Sequence, residues 1–357
     1  MEFIIEYGMF LAKAITIVVS IGLVAGLIAS AGQKTKKSGN KGNIKVTRIN
    51  DHIDELRDAL RISVLGKDEL KSIEKVEKKE AKEFEKKKKK LKKSDVEEGS
   101  NDTDANLKKF FVLNFEGNVA ADAVCSLREE ITAVLSLATP RDEVIVRLES
   151  PGGMVHAYGL ASSQLLRIKN QKIPLTICVD KVAASGGYMM ACLADKLVAA
   201  PFSIIGSIGV LVQLPNFHRV LKKYDVDYEM ISAGEYKRTL SHFGEITTKG
   251  KDKVQEDVEN IHRIFKDWVK TYRPSIEIDS IATGETWVGT QAKDRYMVDE
   301  IKTSDECIIE ACEESEVFEV EFEIKKSIQD KLGNLLEATG ERLLNRWFSK
   351  SNSDIYQ

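Results

Sequence analysis

Ser185 lies in Ala183-Ala184-Ser185-Gly186-Gly187-Tyr188, and Lys237 lies in Gly234-Glu235-Tyr236-Lys237-Arg238-Thr239. A serine hydroxyl attacks poorly until a base takes its proton, and an amine is such a base only while neutral. The ordinary lysine pKa of about 10.4 keeps the amine charged at pH 7, so Lys237 serves only where water is stripped from it or positive charge crowds it. The two stretches together predict a Ser-Lys hydrolase. The helical run behind Ser185 would aim the Gly186 N–H at a developing oxyanion. The Gly152-Gly153 pair leaves backbone bare enough to bring a second donor to a substrate carbonyl. Each feature also has a plainer reading, as a tight turn or an exposed lysine, and it is their combination that points to chemistry.

The elements that must position these residues alternate from Phe110 onward. The apolar runs at 110–115, 143–148, 175–179 and 196–200 read as strands, and 120–137 and 155–169 read as helices. This is βαβ rhythm, and it predicts an α/β protein with a parallel sheet. Loops at the strand ends of such sheets are where sites form, which suits both glycine-rich turns.

The rest of the chain is organised by charge. Of its 357 residues, 43% are hydrophobic and 31% are charged, yet the net charge is only −3 because lysine is concentrated early. That balance gives no basis for a nucleic-acid partner. The five cysteines (Cys125, Cys178, Cys192, Cys307, Cys312) show no metal-ligand spacing and read as free thiols in apolar surroundings.

Residues 14–32, AITIVVSIGLVAGLIASAG, run nineteen positions without a charge. At about 1.5 Å per residue a helix of that length approaches the hydrocarbon thickness of a bilayer. Glu2 and Glu6 ahead of it, and its length, favour a retained anchor over a cleaved signal peptide. The lysines that follow favour a cytoplasmic body, although long domains are translocated regardless of flanking charge, so the side stays open.

Ile49, Ile53, Leu56 and Leu60 recur at helical spacing within the charged stretch 33–109, a helical or disordered tether whose block 86–93 holds seven lysines. The polybasic block reads as solvated linker, with an anionic lipid surface as the other reading. Near the end, Ile328, Leu332, Leu335, Leu336, Leu343, Leu344, Trp347 and Phe348 mark an amphipathic helix. The layout is thus an anchor at 1–32, a tether at 33–109, a domain at 110–313 that carries the Ser-Lys pair, and a C-terminal strand and amphipathic helix at 314–357.

The strings LESPGGMVHAYGLA, VDKVAASGGYMMACLADK, APFSIIGSIGV and AGEYKRT, in that order, resemble the bacterial signal-peptide-peptidase family of membrane-bound serine proteases, peptidase family S49. The resemblance implies the Clp protease/crotonase-like fold of repeated ββα units. It implies Ser185 as nucleophile and Lys237 as base, 52 positions apart, in agreement with the family's spacing. Gly153 and Gly186 would form the oxyanion hole, and Ser207 would orient the lysine. No metal or cofactor is implied, and none of the five histidines matches a family base position; His156, close behind the glycine pair, is the alternative base by proximity. Tyr296 stands where the family often has glycine, a departure that bears on a turn and not on the dyad. The expected partners are peptide or protein substrates, the bilayer of the bacterial inner membrane, and further copies of the same chain. The competing readings are a catalytically silent membrane scaffold of the same fold and a crotonase-type acyl-CoA enzyme.

Overall fold

The computed structural model describes residues 42–66 and 108–324, with isolated positions before residue 80. The polybasic block, the C-terminal amphipathic pattern and all but Thr16 of the apolar run at 14–32 lie outside the described residues. Among the described residues no helix is long and apolar enough to cross a membrane.

The charged stretch contributes ordered structure: β1 (Gly42–Arg48) leads directly into α1 (Ile49–Val64). The sequence reading assigns no strand there, because the apolar positions of β1 are only Ile44 and Val46 within a polar stretch, and the strand is exposed along most of its length. The buried frame begins with β2 (Lys109–Glu116), α2 (Val124–Leu135), β3 (Glu143–Glu149), α3 (Val155–Asn170) and β4 (Leu175–Val179). It continues through β5 (Val182–Ala184), α4 (Gly186–Ala191), β6 (Lys196–Ala199) and β7 (Ile204–Gly206). After a short α5 (His218–Lys223) come the long α6 (Thr248–Tyr272), α7 (Ile278–Ile281), β8 (Thr286–Val288), α8 (Gly289–Asp294), β9 (Glu300–Ile301), α9 (Ser304–Glu314) and β10 (Glu316–Ile324).

Seven strands form a sheet in the order β1-β10-β2-β3-β4-β6-β9, parallel at every pairing from β10 to β9. The strands β2, β3 and β4 are near-continuous apolar runs because helices cover both of their faces. On one face, Leu127, Ile131, Tyr158, Leu165, Tyr188 and Val269 pack the main core. On the other, Cys307, Ile308 and Ala311 of α9 meet Phe110, Val112, Ile145, Cys178 and Val198. Each fully buried aliphatic side chain of this kind contributes about 1.5–3 kcal/mol. Asn50 ties α1 to this second face: its Nδ2 donates to Cys312 O and Ser315 O, and its Oδ1 accepts from Val317 N–H. Those contacts satisfy carbonyls that the end of α9 would otherwise leave bare.

A second, three-stranded sheet pairs β5 with β7 in parallel and β7 with β8 antiparallel. It is joined to the large sheet by the bridge between Ser150 and Ala183. The turn at Tyr296 has φ 59°, the left-handed region that glycine enters without strain, so the sequence departure falls at a position where glycine would be the easier residue. The surrounding polar contacts hold the turn: Arg273 donates to Tyr296 O and, through both terminal nitrogens, to Asp299, while Tyr188 OH donates to Met297 O.

Candidate active site

The chain reaches Ser185 along β5 and turns sharply into α4. Ser185 has φ 51° and ψ −116°, a combination that costs an L-residue on the order of 1–3 kcal/mol and persists only when its surroundings impose it. They do so from both sides. The Ser185 N–H donates to Gly206 O at 2.7 Å, and its carbonyl accepts from Met189 N–H at 3.0 Å. Ala184 N–H donates to Ser150 O at 3.0 Å, while Ser150 N–H donates to Val182 O at 2.8 Å. The turn is therefore stitched between the end of β3 and the end of β7.

The glycine pair at 152–153 is brought to the same place. Gly152 has φ 88°, and a Cβ there would lie 2.7 Å from Ser185 Cβ and 2.8 Å from Gly186 N. Only bare backbone fits so near the serine. A Cβ on Gly153 would strike Val119, and one on Gly186 would lie 2.7 Å from Cδ2 of the Tyr158 ring. Neither the Gly153 nor the Gly186 N–H meets a hydrogen-bond acceptor among the described residues, so both amides are available to an incoming oxygen.

A buried polar chain that the sequence reading missed holds this loop. Tyr158 OH donates to Asn118 O at 2.8 Å, which leaves the Ser150 Oγ to donate to Tyr158 OH at 2.5 Å and to accept from Gly152 N–H at 3.1 Å. Burial pushes the Tyr158 phenol above its ordinary range, against the opposing hydrogen bond to Ser150, so it stays a neutral donor at physiological pH. The signal in the sequence was slight, a serine ahead of Pro-Gly-Gly and a tyrosine one helical turn beyond it.

Parallel register pairs Ala184 with Gly206, which sets Ser207 alongside Ser185 on the neighbouring strand. Ser207 also has a positive φ, 53°, and its N–H donates to Glu285 O at 2.6 Å. Ser185, Gly186, Ser207 and the 152–153 loop thus converge. No hydrogen bond joins Lys237 to them among the described residues. It is exposed, its backbone N–H closes a turn onto Gly234 O, and its amine makes no hydrogen bond or ion pair among the described residues. Its neighbours anchor to the start of α6 instead: Glu235 pairs with Lys249, and the ammonium groups of Lys249 and Lys253 lie over the Tyr236 ring at 5.9 and 5.8 Å. The physical reason is that residues 209–249 contain no buried residue at all, so the single chain has nothing to exclude water from the lysine. His156 is exposed at the start of α3.

A mixed α/β scaffold that forces a serine into a strained turn beside unspent amides has the arrangement of an acyl-transfer hydrolase. The chain belongs to peptidase family S49: the family's N-terminal model matches residues 2–165, and the Peptidase family S49 model matches residues 167–318. It is 46% identical over 349 residues to "Probable protease SohB" of Haemophilus influenzae, covering 98% of this chain and 97% of that one. It is 41% identical over 353 residues to the protein of the same description in Buchnera aphidicola subsp. Acyrthosiphon pisum, covering 98% and 99%. A more distant likeness, 28% over 211 residues, is to "Protease 4" of Haemophilus influenzae, where the match spans 57% of this chain and 34% of the relative.

Proposed function

We propose that this protease is a membrane-anchored serine endopeptidase working through a Ser185-Lys237 dyad on the Clp protease/crotonase-type fold. The observation that carries the reading is the Ser185 turn, strained and packed by Gly152, with the Gly153 and Gly186 amides unspent beside it. In the proposed reaction neutral Lys237 takes the Ser185 proton, and the Oγ attacks the scissile carbonyl. The oxyanion accepts hydrogen bonds from the Gly153 and Gly186 amides. The C–N bond then breaks as the lysine returns its proton to the leaving amine. Water, deprotonated by the same amine, releases the acyl group from Ser185. Ser207, adjacent in register, holds the amine toward Ser185.

The lysine needs a dry setting, and the exposed excursion supplies a reason for one. Leu211, Phe217, Tyr228, Met230, Ile231 and Phe243 are all exposed there, and Ile231 is 99% so. Apolar surface of that extent is stable in water when covered, and we assign its cover to neighbouring copies in a homo-oligomer. Residues 14–32 anchor the protein in the bacterial inner membrane, the charged stretch 33–109 links that anchor to the body and adds β1 and α1 to it, and residues 110–313 carry catalysis. Extended, apolar segments such as cleaved signal peptides and membrane-protein fragments are the substrates. The exposure of Lys237 in the single chain is also what a silent scaffold would display, so one experiment must separate the two. Full-length protein in detergent is given casein and a signal-peptide substrate. Ser185→Ala and Lys237→Met are each expected to lose roughly 10⁴-fold or more in kcat. Turnover unchanged in either variant removes that residue from the dyad, and no turnover by the unaltered protein on any peptide favours the scaffold.

A further inference from the structure

Away from Ser185, on the opposite face of the large sheet, two thiols meet. Cys178 lies on β4 and Cys307 on the first turns of α9, 1% and 8% exposed, within one small core cluster. The contact is fixed by how α9 begins. Ser304 N–H and Oγ donate to the two Asp180 carboxylate oxygens at 2.8 and 2.5 Å, and Thr303 with Glu306 forms a capping box. Residues two apart share one face of a strand, about 6.6 Å along it, and residues three apart share one face of a helix, about 4.5 Å along it. Pinning 304 to 180 therefore lays 307 against 178.

Each cysteine borders a cavity at the edge of this cluster. Cys307 lines a cavity of about 220 Å³ with Lys108, Glu143, Thr176 and Lys196, and Cys178 lines another of about 280 Å³ with Arg147 and Asp180. The two thiols are also unequal. The neighbouring Cys178 thiol, with help from the Lys196 and Lys302 charges, holds the Cys307 thiol below its ordinary range despite burial, and the same neighbourhood raises that of Cys178. Of two such thiols, the more acidic one, once ionised, is the sulfur that attacks an oxidant, and the other resolves the product.

We propose that Cys178 and Cys307 form a peroxide-oxidisable dithiol site that closes to a disulfide joining β4 to α9. The Cys307 thiolate attacks one oxygen of a hydroperoxide, the O–O bond breaks, and the departing alkoxide or hydroxide takes up a proton. Cys307 is now a sulfenic acid. The Cys178 sulfur, losing its proton, attacks the Cys307 sulfur, and the S–O bond breaks with loss of water. Two thiols have given two electrons to one peroxide, and a disulfide, an alcohol or water, and a further water result.

The test uses full-length native protein. It is treated with hydrogen peroxide, quenched, alkylated in denaturant and digested without reductant for mass spectrometry. The expected result is a Cys178–Cys307 linked peptide, reversed by dithiothreitol, with two of the five thiols lost to alkylation. In Cys178→Ser, Cys307 has no resolving partner and is expected to run on to sulfinic and sulfonic acid. The proposal is overturned if both thiols of the unaltered protein remain alkylatable while exposed Cys125 oxidises, or if Cys307 pairs with any other cysteine, including one from a second chain. The unaltered protein gives the decisive reading by itself, so poor folding of the variant leaves the test intact.

Discussion

Glu130 makes the stability of this protease depend on pH in a way that one isosteric change should abolish. The residue lies on α2, is 6% exposed, and accepts the Phe322 N–H of β10 through Oε1 at 2.9 Å, while its buried Oε2 meets no partner among the described residues. Burial pushes its carboxyl from the ordinary 4.5 to about 7, with the Phe322 amide opposing and the Glu321 charge adding to the rise. A folded carboxyl with a raised pKa binds more protons than the unfolded one. Its favourable contribution is whole below pH 4.5 and drains away as pH climbs to about 7. At 1.36 kcal/mol for each tenfold change in proton affinity, that interval is worth about 3 kcal/mol. Glu130→Gln keeps the Oε1 acceptor and removes the charge, at a pH-independent cost of about 1–3 kcal/mol for the unpaired amide hydrogens. Urea unfolding of both proteins from pH 4.5 to 8 should show the unaltered protein losing about 3 kcal/mol that the variant does not lose. Parallel profiles would refute the reasoning, since they would mean that water or a shift of β10 accommodates the charge.

Two further substitutions probe the Ser185 turn. Gly186→Ala sets a methyl against the Tyr158 ring, which is itself fully buried, so a loss of about 1–3 kcal/mol or more is expected in thermal unfolding, together with loss of proteolysis; an unchanged melting temperature would show that the ring can move aside. Tyr158→Phe strips the donor from Asn118 O and the acceptor from Ser150 Oγ, each costing about 1–3 kcal/mol, and frees the Gly152 loop. Steady-state kinetics should then show kcat falling with KM little altered, whereas intact kcat would mean that the loop is held without this chain.

Much of the frame was legible because period and composition are local properties. The runs 110–115, 143–148 and 175–179 announce buried parallel strands by being mostly apolar, and each forms one. The helix expected at 120–137 begins only at Val124, because Ala121 takes φ 51° in a turn held by Asn118 and Asp122. β1 escaped notice since an exposed strand carries no hydrophobic signature. Its place in the sheet beside β10, nearly the whole chain away, is a pairing that no local pattern encodes.

The sequence by itself determined which residue types were present for chemistry: a serine in a small-residue turn, a second glycine pair, and a lysine far downstream, together with the α/β order of the elements that carry them. Tertiary structure alone decided their company. It set Gly152 against Ser185 and Ser207 beside it, recruited Ser150 and Tyr158 to hold the loop, and left Lys237 on an exposed excursion. The physical reason is that side-chain identity and periodicity act over a few residues, whereas strand register and the exclusion of water arise only when distant segments compete for the same core.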